Sequence, residues 1–231
     1  DFDFNAPLSL NAHIETQDSH AQDLMKIFFD LPGLDSHASG MATINGPINN
    51  LAVKATLELD KADLWGEAFP VGHASVLYQN RQLTAEHVNF TRKSGEETVL
   101  FRGSLRSNGE SNFEARLANI SIGDLSVIQS QGLPIDGRLN GRIFINSRNG
   151  NISPSGTINL AKLRYQQERL SDAEIRFFED GKQLQFRGGL SDNTLKLTGL
   201  SGYSTLEPYR FAINLNAFPM HIFYPRTIKG N

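Results

Sequence analysis

The residues of this 231-residue chain that could bind a metal ion or move a proton are few and scattered. The six histidines are His13, His20, His37, His73, His87 and His221. None stands two or four positions from another, so no pair falls on one helix face as a zinc site needs. Solvated or singly hydrogen-bonded imidazoles are the expectation. Asp18, Asp23 and Asp30 surround one predicted helix, where capping or solvation explains them better than acid–base work. There is no Gly-x-Ser-x-Gly elbow, no phosphate-binding G-x-x-x-x-G-K-[ST] loop and no G-x-G-x-x-G after a strand. Cysteine is absent, which removes thiol nucleophiles, cysteine–zinc centres and disulfides and leaves the redox compartment undecided. Asn89-Phe90-Thr91 and Asn119-Ile120-Ser121 match a glycosylation tripeptide, a pattern too common by chance to carry weight. No enzyme, cofactor or metal is expected. The formal net charge of −3 gives no basic stripe for a nucleic acid. No stretch approaches the roughly 18 apolar residues of a membrane-spanning helix.

What the spacing does carry is a non-covalent surface. Leu57 and Leu59 alternate with polar neighbours, and so do Val76, Tyr78, Phe90 and Phe101. In the second half of the chain Ile143, Ile145, Ile158, Leu160, Phe177 and Phe186 repeat the pattern. Side chains two apart on a strand share a face, so these twelve predict an apolar lining. On periodicity alone a closed core is the simpler reading, because exposed apolar strips of this length are rare. An open groove that holds something apolar is the other.

The elements that position these residues are strands. Period-two alternation runs through Leu51–Leu59, Val99–Leu105, Phe113–Leu117, Leu139–Ile145, Leu184–Phe186, Leu195–Leu197 and Phe211–Leu215. Turn signals separate them: Asn45-Gly46-Pro47, Ser107-Asn108-Gly109, Asn149-Gly150-Asn151, Asp180-Gly181 and Ser191-Asp192-Asn193. Such short connections predict antiparallel neighbours. Gly40, Gly103, Gly141, Gly156, Gly188 and Gly189 fall in or beside strands, where glycine permits bends. A sheet that bends repeatedly curls into a trough. One segment departs from the pattern. Residues 19–31 place Ala21, Leu24, Met25, Ile27, Phe28 and Leu31 at helical spacing, with Asp18 or Ser19 as a cap and Pro32-Gly33 as a stop. The apolar side of that helix either packs on the sheet or touches a partner or membrane. The counterpart Ile122–Ile128 is shorter.

The word counterpart is literal, because residues 18–83 repeat without a gap at 119–184. At an offset of 101 there are 14 identities in 66 pairs, among them Asp23/Asp124, Gly40/Gly141, Thr56/Thr157 and Lys61/Lys162. Chance would give about four. The chain is therefore expected to be one continuous repeat array over 1–231. Repeat A covers about 8–107, repeat B about 111–207, and a third copy begins in 209–231, where Tyr209–Ala217 echoes Leu8–Ala12. That opening of a third copy suggests a fragment of a longer array.

Asp23-Leu24…Leu31-Pro32 and Asp124-Leu125…Leu133-Pro134 each open the repeat. A glycine-bearing strand follows, Ala38–Pro47 and Leu139–Asn146, then Ala55–Leu64 and Gly156–Tyr165, then Ala74–Tyr78…Leu83 and Ala173–Phe177…Leu184. In this order and spacing the chain resembles the TamB branch of the AsmA-like proteins of Gram-negative envelopes. The resemblance implies an all-β fold with short helices, an elongated, curved antiparallel sheet forming a U-shaped trough or β-taco. It further implies a periplasmic protein whose parent is anchored in the inner membrane and whose groove conducts phospholipid acyl chains to the outer membrane. An outer-membrane barrel of the Omp85 type would be met by parts of the parent chain other than these. A structural or protein-binding β-solenoid with a filled core, serving outer-membrane protein assembly or adhesion, remains the alternative.

Overall fold

The computed structural model describes residues 8–26, 34–64, 66–148, 150–166, 168–180, 183–202 and 210–218. The fold is all-β with short helices. The first six strands after the opening strand β1 (Ser9–His20) and helix α1 (Ala21–Lys26) are β2 (Leu34–Pro47), β3 (Ala52–Leu64), β4 (Glu67–Gln79), β5 (Gln82–Arg92), β6 (Glu97–Arg106) and β7 (Ser111–Ser121). Helix α2 (Ser126–Ser130) precedes β8 (Ile135–Arg148), β9 (Asn151–Tyr165), the two-residue β10 (Glu168–Arg169), β11 (Ala173–Asp180), β12 (Gln183–Leu190), β13 (Leu195–Gly202) and β14 (Arg210–Leu215). The strands are hydrogen-bonded in chain order, with β10 attached only to β9. The registers of β1 to β6 and of β9 with β11 to β14 are antiparallel. Two compact units form, Asp1–Arg116 with Ile145–Ile152, and Leu117–Phe144 with Ser153–Asn231.

Strands this long need places where the alternation resets. Those places are left-handed residues that are not glycine: Asp18, Lys61, Asn119 and Lys162, with φ of 52°, 52°, 57° and 54°. The first and third, and the second and fourth, lie 101 apart. Such a conformation costs roughly 1–3 kcal/mol and persists only where surroundings hold it. The backbone N–H of Asp18 donates to Ser39 Oγ at 3.0 Å, and that of Asn119 donates to Asn140 Oδ1 at 2.9 Å. Again donors and acceptors are each 101 apart. At Lys61 the effect on side chains is plain. Asp60 and Lys61 are both exposed, so Leu59 and Ala62 both turn inward and the apolar side continues past the kink.

Close strand approach recurs in the same way. A Cβ at Gly40 would meet Thr56 O at 2.2 Å, and one at Gly141 would meet Thr157 O at 3.3 Å. The helical segment differs in detail from the expected one. Asp18 and Ser19 still belong to β1, and the Asp18 carboxylate lies 2.7 Å from His37 Nδ1. Ala21 opens α1 and is buried. Residues 27–33, with Ile27 and Phe28, and the side chain of Leu24 lie outside the described residues. In the second copy a 3-10 turn over Ile122–Asp124 leads into α2, with Ile122 buried and Val127 exposed.

Candidate functional site: an apolar face in each unit

Antiparallel register turns the alternation into rungs, sets of side chains that stand across the strands on one face. In the first unit Leu59, Gly72, Phe90 and Val99 form one rung, and Leu57, Ala74, Val88 and Phe101 the next. Ala55, Val76, Ala85 and Gly103 follow, then Val53, Tyr78, Leu83 and Leu105. Register shifts between Ser75 and Val76 and between Ala85 and Val88 absorb the extra residues of β5 and keep Phe90 and Leu83 on the same side. All six residues singled out here, Leu57, Leu59, Val76, Tyr78, Phe90 and Phe101, share this face.

The first rung is filled by the chain itself. Leu59 is 3% exposed and Phe90 2%. The Phe90 ring lies over Gly72, where an added Cβ would meet its Cδ1 at 2.8 Å. It packs at 6.0 Å on Phe69 and edge-on at 6.1 Å on Phe101. Beyond Phe90 and Val99 the same face carries Arg92 opposite Glu97. Glu97 is fully buried and accepts from Arg92 Nε, while Lys93 Nζ stands 2.8 Å from its other oxygen. Arg92 also approaches Glu67 at 3.5 Å and lies over the Phe69 ring at 5.4 Å. Burial pushes the Glu97 carboxyl up, but the hydrogen bonds from Lys93 and Arg92 and their charges outweigh it and hold its pKa below the ordinary value.

The second unit builds the same rungs from different residues. Leu160, Ala173 and Leu190 stand across one another, then Ile158, Ile175, Gly188 and Leu197, then Gly156, Phe177, Phe186 and Gly199. Here the large rings sit on the third rung. A Cβ at Gly156 would meet Phe177 Cζ at 2.8 Å, and one at Gly199 would meet Phe186 Cζ at 1.9 Å, so each ring lies across a glycine. Ile143 shares this face, its Cα 3.1 Å from where a Cβ of Gly156 would stand. Ile158, Leu160, Phe177 and Phe186 thus share one face. Ile145 falls in the 145–152 segment of the first unit and is 39% exposed. Its neighbour Phe144 is half-buried beneath Arg142, whose guanidinium lies 4.8 Å from the ring.

A cavity of about 270 Å³ opens in the second unit over the first two rungs. Besides rung residues it is lined by Ile135, Leu163, Tyr165, Leu170, Leu195 and Phe218, and among the described residues no charged side chain lines it. Sequence spacing did not single out Leu163, Leu170 or Phe218. Leu163 is brought round by the kink at Lys162, and Leu170 and Phe218 stand outside regular alternation. The pair Gly188-Gly189 was the available signal, since two glycines leave wall without side chain. A larger hollow of about 700 Å³ lies on the polar face of the same unit, with Arg176 opposite Arg187 and Lys196 nearby. Arg176 pairs with Glu174 at 2.6 Å, and Asp172 and Glu174 line the same hollow.

Among the described residues no three His, Asp or Glu side chains gather as a metal site. The fold does bring together two histidines that lie far apart in sequence, His20 and His37, with ring centroids 4.8 Å apart. No helix is long and apolar enough to cross a membrane, among the described residues.

The family model for the TamB C-terminal domain matches residues 6–177. No curated protein and no solved structure gives a match.

Proposed function

Because the chain belongs to the TamB family of envelope proteins, we propose that its apolar faces carry phospholipid acyl chains through the periplasm between the inner and outer membranes. The observation that carries this reading is the set of apolar rungs on one face of the strands, half-exposed in the second unit and free of charge there. Apolar surface in water costs about 25 cal/mol per Å², and an acyl chain laid on it recovers about 0.8 kcal/mol per buried methylene. The attraction is non-directional, so a chain slides from rung to rung without breaking a specific bond. Headgroups stay in water. On this reading the parent protein is anchored in the inner membrane and works with an Omp85-type barrel of the outer membrane.

A photo-crosslinker at Ile158 tests it against one at Asn159, the next residue on the polar face. Lipid captured in cells at Ile158 and not at Asn159 is the expected result. Equal capture at both positions, or none at either in a folded protein, overturns the conduit. The second reading, a solenoid whose face is a filled core and whose partner is another protein, draws on the first unit. There Leu59 and Phe90 leave their rung closed.

A further inference from the structure

The two units offer the same rungs with the bulk in different places. In the first, Val88, Phe90 and Phe101 occupy the positions that Gly188, Leu190 and Leu197 occupy in the second. The register fixes this equivalence: Leu57 and Ile158 begin one rung, Leu59 and Leu160 the other. Bulk moves the other way on the neighbouring strand, where Gly72 and Ala74 of the first unit stand at the places of Ala173 and Ile175. In the second unit the place over Gly188 and Leu197 is left open, as the cavity of about 270 Å³. In the first unit Phe90 lies over Gly72 and leaves its rung buried, and the face ends at the buried Arg92–Glu97 pair.

We infer that the second unit holds a discrete seat for one alkyl chain, and that the first unit does not. This rests on the acyl-chain reading and sharpens it, from a face along which chains slide to a place where one chain stops. The occupant is a hydrocarbon because the wall formed by the described residues has no charged group and burying a polar group there without a partner would be unfavourable. An apolar cavity of about 150 Å³ stays dry and takes up benzene, so this one has room for a longer segment of hydrocarbon. Gly188 is the discriminating residue. A Cβ there would already stand 3.0 Å from Ile175 Cγ1 and 2.8 Å from Glu174 O.

The probe is cis-parinaric acid, an 18-carbon polyene whose fluorescence rises in apolar surroundings, titrated into the purified chain. The wild-type chain is expected to bind one probe. Leu197→Phe with Leu190→Phe, which sets two rings on the second unit's rungs, should weaken binding at least tenfold in a chain whose circular dichroism is unchanged. Leu197→Phe alone, the milder change, serves if the double variant does not fold, and should weaken binding several-fold. The opposite change, Phe101→Leu with Phe90→Leu, should raise the count from one probe to two. Undiminished binding by the filled variants overturns the seat. So does a photo-crosslinker at Leu197 that captures residues 219–231 of its own chain, because the cavity would then be self-filled. Absence of probe binding together with lipid capture at Ile158 overturns the seat and leaves the conduit standing. Absence of both overturns the two together.

Discussion

Glu96 and Glu97 are adjacent carboxylates beside a turn, and nothing local distinguishes them. Glu96 is exposed and Glu97 is fully buried because the register sets Glu97 opposite Arg92 on the apolar side. A buried carboxylate is stable only when paired and hydrogen-bonded. Removing its charge in Glu97→Gln leaves Lys93 and Arg92 short of a partner and should cost about 3 kcal/mol at neutral pH, read from denaturant unfolding. The pH dependence has a definite sign. A carboxyl held below its ordinary pKa in the folded state contributes stability at pH values above the unfolded pKa of about 4.3 and loses it as pH falls through the lower folded value. The wild-type chain should therefore weaken on acidification below about pH 4 more steeply than Glu97→Gln. Equal slopes would show that the pair does not set the acid sensitivity.

The kinks decide which side chains a strand presents. Lys162 holds φ at 54°, and its N–H donates to Asp172 Oδ1 at 3.0 Å. A β-branched residue is a steric outlier in that conformation. Lys162→Val should cost about 1–2 kcal/mol and shift Leu163 from the cavity wall, while Lys162→Gly should be neutral or mildly stabilising because glycine takes positive φ freely. Denaturation midpoints of the two variants check it, and equal loss in both would assign the effect to the lysine side chain. Strand positions were legible from alternation alone, as in β3, β6 and β13. The kinks were not, since a lysine in an alternating run carries no sign of positive φ. The caps at Asp18 and Ser19 were misplaced for the same reason: β1 runs through both before α1 begins.

Across the chain, the two units put one pattern to unequal use. A charge on the half-exposed face of the second unit tests this without unfolding it. In Leu160→Asp the carboxylate can still reach water from a half-exposed rung, so the strands should form. An unpaired charge on an apolar wall costs a passing hydrocarbon its contacts. Lipid capture by the crosslinker at Ile158 should fall several-fold, while Asn159→Asp on the polar face should leave it unchanged. Equal effects would mean that the faces are not distinguished by what binds them.

Composition, alternation and the 101-residue offset determined by themselves that this chain is all-β, antiparallel and apolar on one side of its strands, and the order of the repeated motifs pointed to its family. They could do so because period two is a local property and an ungapped repeat needs only counting. Which rungs are filled was decided by tertiary structure. Phe90 meets Phe101, and Gly188 meets Leu197, only after bulges and left-handed residues set the register between strands. The empty place over Gly188, and the closed one over Gly72, belong to neighbours that the linear sequence keeps apart.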